Sequence, residues 1–425
     1  KVDRKKMESV SFYTIAEVAA HLKISQKSVR RYIASNKLNA VKIGGAYRIP
    51  VKALEAFINR KETSPRYDLL GGEVSCSERS PIIQSGEDVH WVNIQKEWNA
   101  PSNSDLTFVD LFCGAGGLSK GLEQAGLNGV CGLDWFEEAG KTYRRNFHHP
   151  FVDGDITLPE KKQEFYDTVK SELSGRRLNI VAGGFPCQGF SMAGNRLVDD
   201  PRNALYKEML EIVRVLQPDF VICENVKGLR SMLGGRVEQK IVEDYRSIGY
   251  EMSVATLCAA DYYTPQKRER VIFIGNRIGL KNYHPLPILS PEQYITTGQS
   301  IGDLMDYPED PHFNHVPTKH RPDMQRRMLE CPEGKSLYKG YSDAWKKCPW
   351  DEASCTIKEN HGGVNVHPKL PRVLTAREMA RLQSFPDDFI FEGPKNKQLV
   401  QIGNAVPCFL GKAIGLAVRK AFGEI

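Results

Sequence analysis

Residues 106–117 read Leu-Thr-Phe-Val-Asp-Leu-Phe-Cys-Gly-Ala-Gly-Gly, an apolar run that ends in a glycine-rich turn. The run predicts a buried strand, and apolar residues at positions 118, 122 and 125 predict a helix directly after the turn. Glycines let the backbone approach a ligand closely, and the first turn of a helix offers free N–H groups. The glycine spacing departs from the dinucleotide fingerprint G-x-G-x-x-G, so the turn favours another nucleoside cofactor.

Further strand-like runs begin near residues 129, 178, 219, 251 and 271, and helical patterns separate most of them. This alternation predicts an α/β fold with a doubly wound, mostly parallel sheet that helices cover on both faces. Ligands of such sheets bind at the carboxyl ends of the strands. Most of the polar motifs of this chain follow a predicted strand directly, which places them at that edge.

The composition is that of an ordinary globular chain, with 425 residues, 41% hydrophobic residues and a formal charge of +6. No apolar run or leader predicts a membrane span or a secretory signal, so we expect a cytoplasmic protein, associated with the nucleoid if bacterial. The ten cysteines are scattered without a C-x-x-C pair, which predicts reduced thiols. Cys348, Cys355 and His361 lack the spacing of zinc ligands, so we expect no metal site.

The first 61 residues are strongly basic, with fourteen Lys and Arg against four Asp and Glu. Their net charge of +10 leaves −4 for the rest of the chain, and such asymmetry points to a nucleic-acid partner. Thr14 and Glu17 form a capping box before one helix, and Ser25 caps a second helix after a tight turn. We therefore predict a helix-turn-helix, followed by a hairpin around residues 44–45 and a last helix.

In a helix-turn-helix, the second helix enters the major groove of DNA. The side chains predicted to reach bases are Gln26, Lys27 and Arg30, and those predicted to contact phosphates are Arg31, Lys42 and Arg48. The segment resembles the small winged helix-turn-helix domains of the excisionase type over residues 11–60. The alternative is a helical domain whose basic face only keeps it soluble.

A cysteine follows the strand predicted near residue 178, in Gly183-Gly-Phe-Pro-Cys187-Gln. It is placed like a nucleophile, whereas most free cysteines are small buried hydrophobic residues. The following strand ends in Glu224-Asn-Val, and neighbouring strand ends can bring Glu224 beside Cys187. Arg268 and Arg270 have the i, i+2 spacing that places two guanidinium groups on one side of an extended chain.

Asp134 and Trp135 end the strand predicted near residue 129. A carboxylate there can accept both ribose hydroxyls of a nucleoside, and an indole can cover an adenine face. Asp155 and Ile156 could flank the same adenine. Together with the glycine-rich turn, these residues predict a nucleoside cofactor site.

The motifs at 110–117, Pro186-Cys-Gln, Glu224-Asn-Val and Gln266-Lys-Arg-Glu-Arg resemble, in this order, those of the cytosine-C5 DNA methyltransferase family. Three late segments agree: Arg372-Val-Leu-Thr-Ala-Arg-Glu, Arg381-Leu-Gln-Ser-Phe-Pro and Gly403-Asn-Ala-Val-Pro. The resemblance covers residues 106–422 apart from an interval at 280–352. It implies methyl transfer from S-adenosylmethionine to carbon 5 of a cytosine that is flipped out of double-stranded DNA.

By this resemblance, Cys187 is the nucleophile that adds to cytosine C6, and Glu224 is the acid that engages N3 and the exocyclic amine. Arg268 is expected to hold the cytosine O2 and to orient Glu224, and Arg270 completes the catalytic set. The implied cofactor-binding residues are Phe112, Gly114, Gly116, Asp134, Trp135, Asp155, Ile156 and Asn404. The implied DNA contacts in the loop after the nucleophile are Gln188, Ser191 and Arg196. Asp134 stands where many family members have glutamate.

The predicted domain order begins with the winged helix-turn-helix at residues 1–61 and a linker at 62–104. A catalytic and cofactor-binding domain at 105–279 and a target-recognition region at 280–370 follow. Residues 371–425 are then expected to return and complete the catalytic domain.

Three other functions compete with this interpretation. A tRNA cytosine methyltransferase would use the same chemistry, although a basic helix-turn-helix favours duplex DNA. A transcriptional regulator with an inactive methyltransferase body conflicts with the presence of Cys187, Glu224 and the glycine-rich turn. A nicotinamide oxidoreductase leaves Pro186-Cys and Glu224-Asn-Val unexplained. For the methyltransferase, a cognate restriction endonuclease is a further expected partner.

Overall fold

The computed structural model describes residues 12–21, 26, 29–30, 33, 38–43, 46–58, 89–99, 102–186, 204–340, 345–358 and 365–425. The chain divides into two compact units, Lys1–Arg79 and Ser80–Ile425, and each has its own core. The second unit therefore begins before residue 104, the predicted end of the linker.

The N-terminal unit contains β1 (Phe12–Tyr13), α1 (Ile15–His21), β2 (Val41–Ile43), β3 (Ala46–Pro50) and α2 (Val51–Ile58). Its strands are antiparallel in the order β1-β3-β2, and β2 and β3 form the predicted hairpin. The capping box before α1 is also present. The Thr14 N–H donates to the Glu17 carboxylate at 2.7 Å, and the Glu17 N–H donates to the Thr14 hydroxyl at 3.2 Å.

The core of this unit is small and apolar, and it consists of Ile15, Val18, Ala19, Val29, Ile33, Leu38, Ile49 and Leu54. Gln26, Val29, Arg30 and Ile33 are helical, as the second helix of a helix-turn-helix requires. Gln26 and Arg30 are exposed, whereas Val29 and Ile33 are buried, which agrees with the predicted amphipathic pattern. Lys27 and Arg31 lie outside the described residues.

The second unit is built on a seven-stranded sheet. A separate parallel pair consists of β4 (His90–Val92) and β12 (Tyr283–Pro285). The strands of the main sheet are β5 (Thr107–Leu111), β6 (Asn128–Asp134), β7 (Phe151–Asp153), β8 (Ile180–Gly183), β9 (Phe220–Val226), β10 (Glu251–Cys258) and β11 (Glu269–Asn276). Their order across the sheet is β10-β11-β9-β8-β5-β6-β7. β11 runs antiparallel to both of its neighbours, whereas the other pairs are parallel. The predicted α/β, mostly parallel sheet is confirmed.

Helices cover both faces of this sheet. Around it lie α3 (Gln95–Trp98), α4 (Gly117–Gln124), α5 (Glu137–Asn146), α6 (Pro159–Leu173), α7 (Ala204–Leu216) and α8 (Arg236–Ser247). Farther along the chain are α9 (Thr297–Ile301), α10 (Pro322–Glu330), α11 (Ala376–Leu382), α12 (Lys395–Asn404) and α13 (Cys408–Ala421). Short 3-10 helices occupy Ala259–Tyr262, Pro291–Gln293 and Gly302–Leu304, and Lys227–Gly235 contains two such helices separated by a kink at residues 232–234.

Alternate residues of the first sheet strand enter opposite cores. Val109 packs into the core on one face, and Phe108 packs with Ile414 of α13 in the core on the other face. α13 approaches α4 closely, because a Cβ on Gly121 would lie 2.2 Å from the Cys408 carbonyl oxygen. The last helix of the chain therefore packs directly beside the helix that follows the glycine-rich turn.

The segment Lys395–Ala421 is long and apolar enough to span a membrane by composition. It comprises two helices, α12 and α13, and Ala405, which follows α12, has an extended backbone conformation. In its most apolar window, 67% of the residues are buried inside the unit. Its apolar side chains therefore contribute to the core of the second unit.

Two tryptophans of the predicted linker dock on the body. Trp98 stacks on Tyr263 with a centroid distance of 5.5 Å, and the Lys412 ammonium lies 4.5 Å from the indole centroid. Trp91 contacts His284 at a centroid distance of 5.8 Å. Residues 89–99 thus belong structurally to the second unit.

Candidate active site

The glycine-rich turn has an unusual backbone conformation. Phe112, Gly114 and Gly116 have φ angles of +56°, +53° and +91°. Left-handed backbone at a non-glycine residue such as Phe112 is uncommon and clusters at functional sites. A Cβ at Gly114 would meet no atom within 4 Å. The turn therefore leaves open space next to its backbone, where a ligand can approach.

Asp134, at the end of β6, holds this turn in place. Its Oδ2 accepts the Gly114 N–H at 2.8 Å, and its Oδ1 accepts the Phe136 N–H at 2.8 Å. Burial raises the pKa of the Asp134 carboxyl, although these backbone donors act in the opposite direction. A carboxylate offers about four lone-pair sites, so Asp134 can still accept ribose hydroxyls while it holds the turn.

Trp135 follows Asp134 and is 74% exposed, which leaves its indole face open for stacking on a base. The Gly154 N–H donates to the Asp134 carbonyl at 3.0 Å, and this bond brings the end of β7 to the same place. Just beyond it, Asp155 is exposed and Ile156 is buried. The predicted pair Asp155 and Ile156 thus follows the strand that neighbours Asp134.

The chain returns to this turn near its C-terminal end. Asn404 is the exposed last residue of α12. Two residues later, the Val406 carbonyl oxygen would lie 2.2 Å from a Cβ placed on Gly117. The absence of a side chain at Gly117 therefore allows the segment after Asn404 to pack against the turn.

A second polar cluster lies at the ends of β8 and β9. The Arg270 Nε lies 2.7 Å from the Glu224 Oε1, and both side chains are about nine-tenths buried, at 11% and 12% exposure. A Cβ on Gly184 would lie 3.0 Å from the Glu224 Oε2. The Asn225 Nδ2 donates to the Phe185 carbonyl at 2.8 Å. The Glu-Asn-Val motif therefore contacts the segment that leads into Pro-Cys-Gln.

This fold and these two clusters agree with the comparisons with known proteins. The family model of C-5 cytosine-specific DNA methylases matches residues 106–420, and a helix-turn-helix domain model matches residues 12–62. The chain belongs to the C-5 cytosine-specific DNA methylase family.

Individual relatives support the assignment. The Type II methyltransferase M1.HphI of Haemophilus parahaemolyticus is 36% identical over 331 residues, covering 74% of this chain and 87% of that protein. The Type II methyltransferase M.PspPI of Psychrobacter sp. (strain TA137) is 35% identical, covering 96% of this chain and 95% of that protein. A prophage-encoded E. coli protein, assigned as a DNA modification methyltransferase, superposes with a TM-score of 0.61 at 25% identity, covering 75% of this chain and 100% of that chain.

The enzyme is thus a DNA (cytosine-5-)-methyltransferase that uses S-adenosylmethionine and acts on double-stranded DNA. The residues present fit this cofactor. The buried carboxylate of Asp134 suits the ribose, and the open indole of Trp135 suits the adenine. The space at Gly114 suits the part of the cofactor that passes close to the backbone. In the methyltransferase, these residues would hold the nucleoside part of the cofactor.

Arg268 has a different position from the one predicted for it. Its guanidinium is 3% exposed, and its hydrogen bonds are made with backbone carbonyls instead of with Glu224. The three acceptors are the carbonyls of Ile357 at 2.9 Å, Gly403 at 3.0 Å and Ala405 at 3.1 Å. Burial lowers the pKa of Arg268, as does the nearby Arg270 charge.

Arg270 occupies the place beside Glu224 that was predicted for Arg268. The i, i+2 argument holds within an extended chain, but β11 begins only at Glu269. Arg268 therefore precedes the strand, and its side chain turns into the interior. The prediction that Arg268 orients Glu224 is wrong, and the structure assigns this contact to Arg270.

Gln266 and Gln383 connect the late motifs to the site, although neither is a predicted site residue. The Gln266 Nε2 donates to the Leu382 carbonyl and to the Gln383 Oε1, both at 2.9 Å. The Gln266 Oε1 accepts the Ile357 N–H at 2.8 Å, and the Gln383 Nε2 donates to the Ile402 carbonyl at 2.7 Å. Both glutamines lie inside the quoted motifs, which was the only signal for their importance.

Several predicted residues fall outside the described part of the chain. These are the nucleophile Cys187, the loop residues Gln188, Ser191 and Arg196, and the N-terminal residues Lys27 and Arg31. Their predicted roles remain proposals. Among the described residues, no group of three His, Cys, Asp or Glu could hold a metal ion.

The turn offers a first test at Gly116, where an alanine Cβ would lie 2.4 Å from the Phe147 ring. Gly116 also has a φ of +91°, which L-residues adopt at a cost of about 1–2 kcal/mol. We expect Gly116→Ala to weaken S-adenosylmethionine binding by roughly tenfold or more, because the turn must shift to relieve the overlap. Calorimetric titration measures this affinity.

Gly175→Ala is the matched control for this variant. Gly175 has a similar φ of +86°, but a Cβ there would meet nothing within 4 Å. It should therefore show the same backbone cost in thermal unfolding and an unchanged affinity for the cofactor. Equal affinities for the two variants would contradict a role of the Gly116 turn in binding.

Beneath the turn, a buried carboxyl belongs to a chain of hydrogen bonds. The Ser119 hydroxyl donates to the Asp110 Oδ2 at 2.6 Å and lies 2.8 Å from the Tyr143 hydroxyl. The Tyr143 hydroxyl lies 2.8 Å from the His149 Nε2. The Asp110 Oδ1 is buried without a hydrogen-bond partner among the described residues. Burial raises the pKa of Asp110 to about 7.

This raised pKa predicts a pH dependence of stability. A carboxyl whose folded pKa exceeds its unfolded pKa stabilises the fold while it is protonated, and this contribution is lost as the pH rises through about 7. In Asp110→Asn the group stays neutral. The free energy of unfolding of the wild type should therefore fall by about 1 kcal/mol relative to Asp110→Asn between pH 6 and pH 8. Urea unfolding at both pH values tests this, and a constant difference would contradict it.

Proposed function

We propose that the enzyme methylates a cytosine flipped out of one specific double-stranded DNA sequence, through a covalent bond between the Cys187 sulfur and cytosine C6. The observation that supports this most directly is the contact between Glu-Asn-Val and the segment that precedes Cys187. It consists of the Glu224 carboxylate against Gly184 and the hydrogen bond from Asn225 to the Phe185 carbonyl.

The chemistry explains why a thiol and an acid are needed together. Carbon 5 of cytosine is a weak nucleophile within the aromatic ring. Addition of the Cys187 thiolate at C6, with a proton or hydrogen bond from Glu224 at N3, turns the ring into an enamine. C5 can then take up a methyl group, after which the C5 proton and the thiolate leave and the ring is restored.

Arg270 is proposed to orient Glu224 for this step. Its Nε holds one carboxylate oxygen at 2.7 Å, which leaves the other oxygen for the base. S-adenosylmethionine supplies the methyl group as an electrophile when it is bound. Asp134 and Trp135 would fix its nucleoside so that the methyl group faces the target base.

Base flipping is part of the proposal because C5 cannot be reached inside a stacked duplex. Extruding the base costs a few kcal/mol, and contacts to the flipped cytosine and its flanking DNA must offset this cost. We propose that Gln188, Ser191 and Arg196 contact the DNA, with Ser191 and Arg196 near phosphates, and that the region 280–370 reads the sequence.

A covalent trap tests the nucleophile. In DNA that carries 5-fluorocytosine at the target position, the methylated C5 keeps its fluorine, because fluorine cannot leave as a cation. With S-adenosylmethionine present, the enzyme–DNA adduct should therefore persist under denaturing electrophoresis. Cys187→Ala should form no adduct. With ordinary cytosine at the target position, no adduct should survive the denaturing electrophoresis. A persistent adduct with Cys187→Ala would contradict the assignment of the nucleophile.

We propose that the N-terminal unit binds duplex DNA through Gln26, Lys27 and Arg30, with Arg31, Lys42 and Arg48 near phosphates. The net charge of +10 in residues 1–61 and the exposure of Gln26 and Arg30 support this role. Deleting residues 1–61 distinguishes two uses of the unit. A raised KM for DNA indicates tethering, whereas unchanged methylation with loss of promoter binding indicates autoregulation.

The names of the relatives suggest a biological setting. Both M1.HphI and M.PspPI are named Type II methyltransferases. We propose that this enzyme likewise belongs to a restriction–modification system, works on DNA in the nucleoid and protects the target sequence of a cognate restriction endonuclease.

A further inference from the structure

Two cysteines that the methylation chemistry does not use lie in contact in the region 280–370. The Cys348 Sγ and the Cys355 Sγ are 3.8 Å apart. Cys348 is fully buried, and Cys355 is partly exposed. A disulfide bond has a sulfur–sulfur distance of about 2.05 Å, so forming one here needs an approach of less than ~2 Å.

Neighbouring backbone and side chains hold the two sulfurs together. The Cys348 N–H donates to the Val366 carbonyl at 3.0 Å. The adjacent residue, Asn365, donates its Nδ2 proton to the Cys355 sulfur at 3.2 Å. Both cysteines are therefore anchored to the same short segment, although six residues separate them along the chain.

The environment makes the two thiols chemically unequal. The hydrogen bond from the Cys348 thiol lowers the pKa of Cys355, and the Lys346 charge and the Asn365 amide act in the same direction. The same contact and burial raise the pKa of Cys348. Cys355 is thus the thiol that becomes a thiolate, and the thiolate is the form that reacts with oxidants.

We propose that Cys348 and Cys355 are a redox pair that a hydroperoxide converts reversibly into a disulfide. The Cys355 thiolate attacks one oxygen of the peroxide, the O–O bond breaks, and Cys355 becomes a sulfenic acid while hydroxide or alkoxide leaves. The Cys348 thiol then attacks the Cys355 sulfur, and its proton leaves with the sulfenic hydroxyl as water. The two thiols lose two electrons and two protons in total, and the peroxide is reduced.

The pair is close to the residues that organise the site. The Ser354 N–H donates to the Pro265 carbonyl at 3.0 Å, and the Lys267 N–H donates to the Ser354 carbonyl at 2.9 Å. Two residues after Cys355, the Ile357 carbonyl accepts from Arg268. A bond that draws Cys355 towards Cys348 therefore pulls on the segment that binds Arg268, and we expect disulfide formation to lower the methylation rate.

The sequence makes the pair easy to observe in the full-length enzyme. Trypsin cleaves after Lys347 and Lys358, so both cysteines occur in one peptide, residues 348–358. After treatment with hydrogen peroxide and alkylation, this peptide should be two hydrogen atoms lighter and carry no alkyl group. Treatment with dithiothreitol should restore both alkylation sites.

Cys331 is the matched control within the same region. It is also buried, but its thiol hydrogen-bonds to the carbonyls of Pro332 and Lys335, and burial raises its pKa. It should remain alkylatable at peroxide doses that oxidise the pair. In Cys348→Ser, Cys355 should instead accumulate as sulfenic and sulfinic acid. A wild-type 348–358 peptide that keeps two free thiols while Cys331 oxidises would overturn the proposal.

The rate is compared between the wild type and the Cys348→Ser, Cys355→Ser double variant, both of which retain Cys187. The peroxide dose is one at which the peptide containing Cys187 is still fully alkylatable. The wild type should lose at least half of its rate and regain it with dithiothreitol, whereas the double variant should keep its rate. A formed disulfide with an unchanged rate would overturn the predicted coupling.

Discussion

Glu224→Gln should slow methyl transfer by roughly 10²- to 10⁴-fold, the range observed when a positioned acid or base is lost. Glutamine keeps the size of the side chain and can still accept a hydrogen bond from Arg270, but it cannot supply a proton to N3. The affinity for S-adenosylmethionine should not change, because Glu224 lies in β9, whereas the proposed cofactor residues lie at or after the ends of β5, β6 and β7 and, for Asn404, at the end of α12. Single-turnover methylation with saturating DNA measures the effect.

Glu238→Gln is a closely matched control. The Glu238 Oε2 lies 2.7 Å from the Arg230 Nε, and its side chain is 12% exposed, as is that of Glu224. Glu238 lies in α8, and Arg230 lies in the segment Lys227–Gly235 that precedes it. Glu238→Gln also breaks a buried ion pair, so its free energy of unfolding should fall by about as much as that of Glu224→Gln. Its methylation rate should not change. If both variants lose rate equally, the effect of Glu224→Gln is structural.

Arg268→Ala should chiefly destabilise the enzyme. Its removal leaves the carbonyls of Ile357 and Gly403 without this donor, whereas the Ala405 carbonyl keeps a bond from the Gln383 Nε2 at 3.3 Å. Each unsatisfied buried group costs about 1–3 kcal/mol. Some of this cost is offset because a buried charge is also removed. We expect a loss of about 3 kcal/mol in the free energy of unfolding, measured by urea denaturation.

The same variant should also weaken cofactor binding. Two of the carbonyls that Arg268 holds belong to Gly403 and Ala405, which flank Asn404. Loss of these bonds frees the segment that carries the predicted cofactor contact, so the KM for S-adenosylmethionine should rise by roughly tenfold. Arg268→Lys keeps the charge and one or two donors. Its free energy of unfolding and its KM for S-adenosylmethionine should therefore lie between those of the wild type and of Arg268→Ala.

Arg270→Ala completes the comparison, because it removes the partner of Glu224 without touching the three carbonyls. It should reduce the rate strongly and leave the KM for S-adenosylmethionine unchanged, whereas Arg268→Ala should raise that KM. Both variants should lose stability, because each removes one partner of a buried polar contact. If Arg268→Ala instead loses rate with unchanged stability and KM, then Arg268 and not Arg270 acts on the target base.

Much of the fold was predictable because its signals are local. The strand-like runs near 129, 178, 219, 251 and 271 correspond to β6, β8, β9, β10 and β11, each beginning within two residues of the prediction. The short strand β7, three residues long, was not among them, since so brief a run carries little periodicity. The antiparallel direction of β11 could not be predicted from a sequence pattern either, because strand direction depends on pairing with β9 and β10.

The site was predictable in its residue types but not in its contacts. Asp134 and Glu224 lie at strand ends, where the motif positions put them. Which of Arg268 and Arg270 contacts Glu224 depends on where β11 begins, and a difference of one residue decides which side chain turns inward. Gln266 and Gln383 have no chemistry that marks them, and only the return of the C-terminal helices gives them partners.

Bisulfite sequencing of unmodified plasmid DNA after incubation with the purified enzyme and S-adenosylmethionine is the most direct test of sequence-specific cytosine methylation through Cys187. We expect 5-methylcytosine at one cytosine of a single short sequence context, and none with Cys187→Ala under the same conditions. Plasmid that the enzyme binds but leaves without 5-methylcytosine at any position would contradict it, as would equal methylation by the wild type and Cys187→Ala.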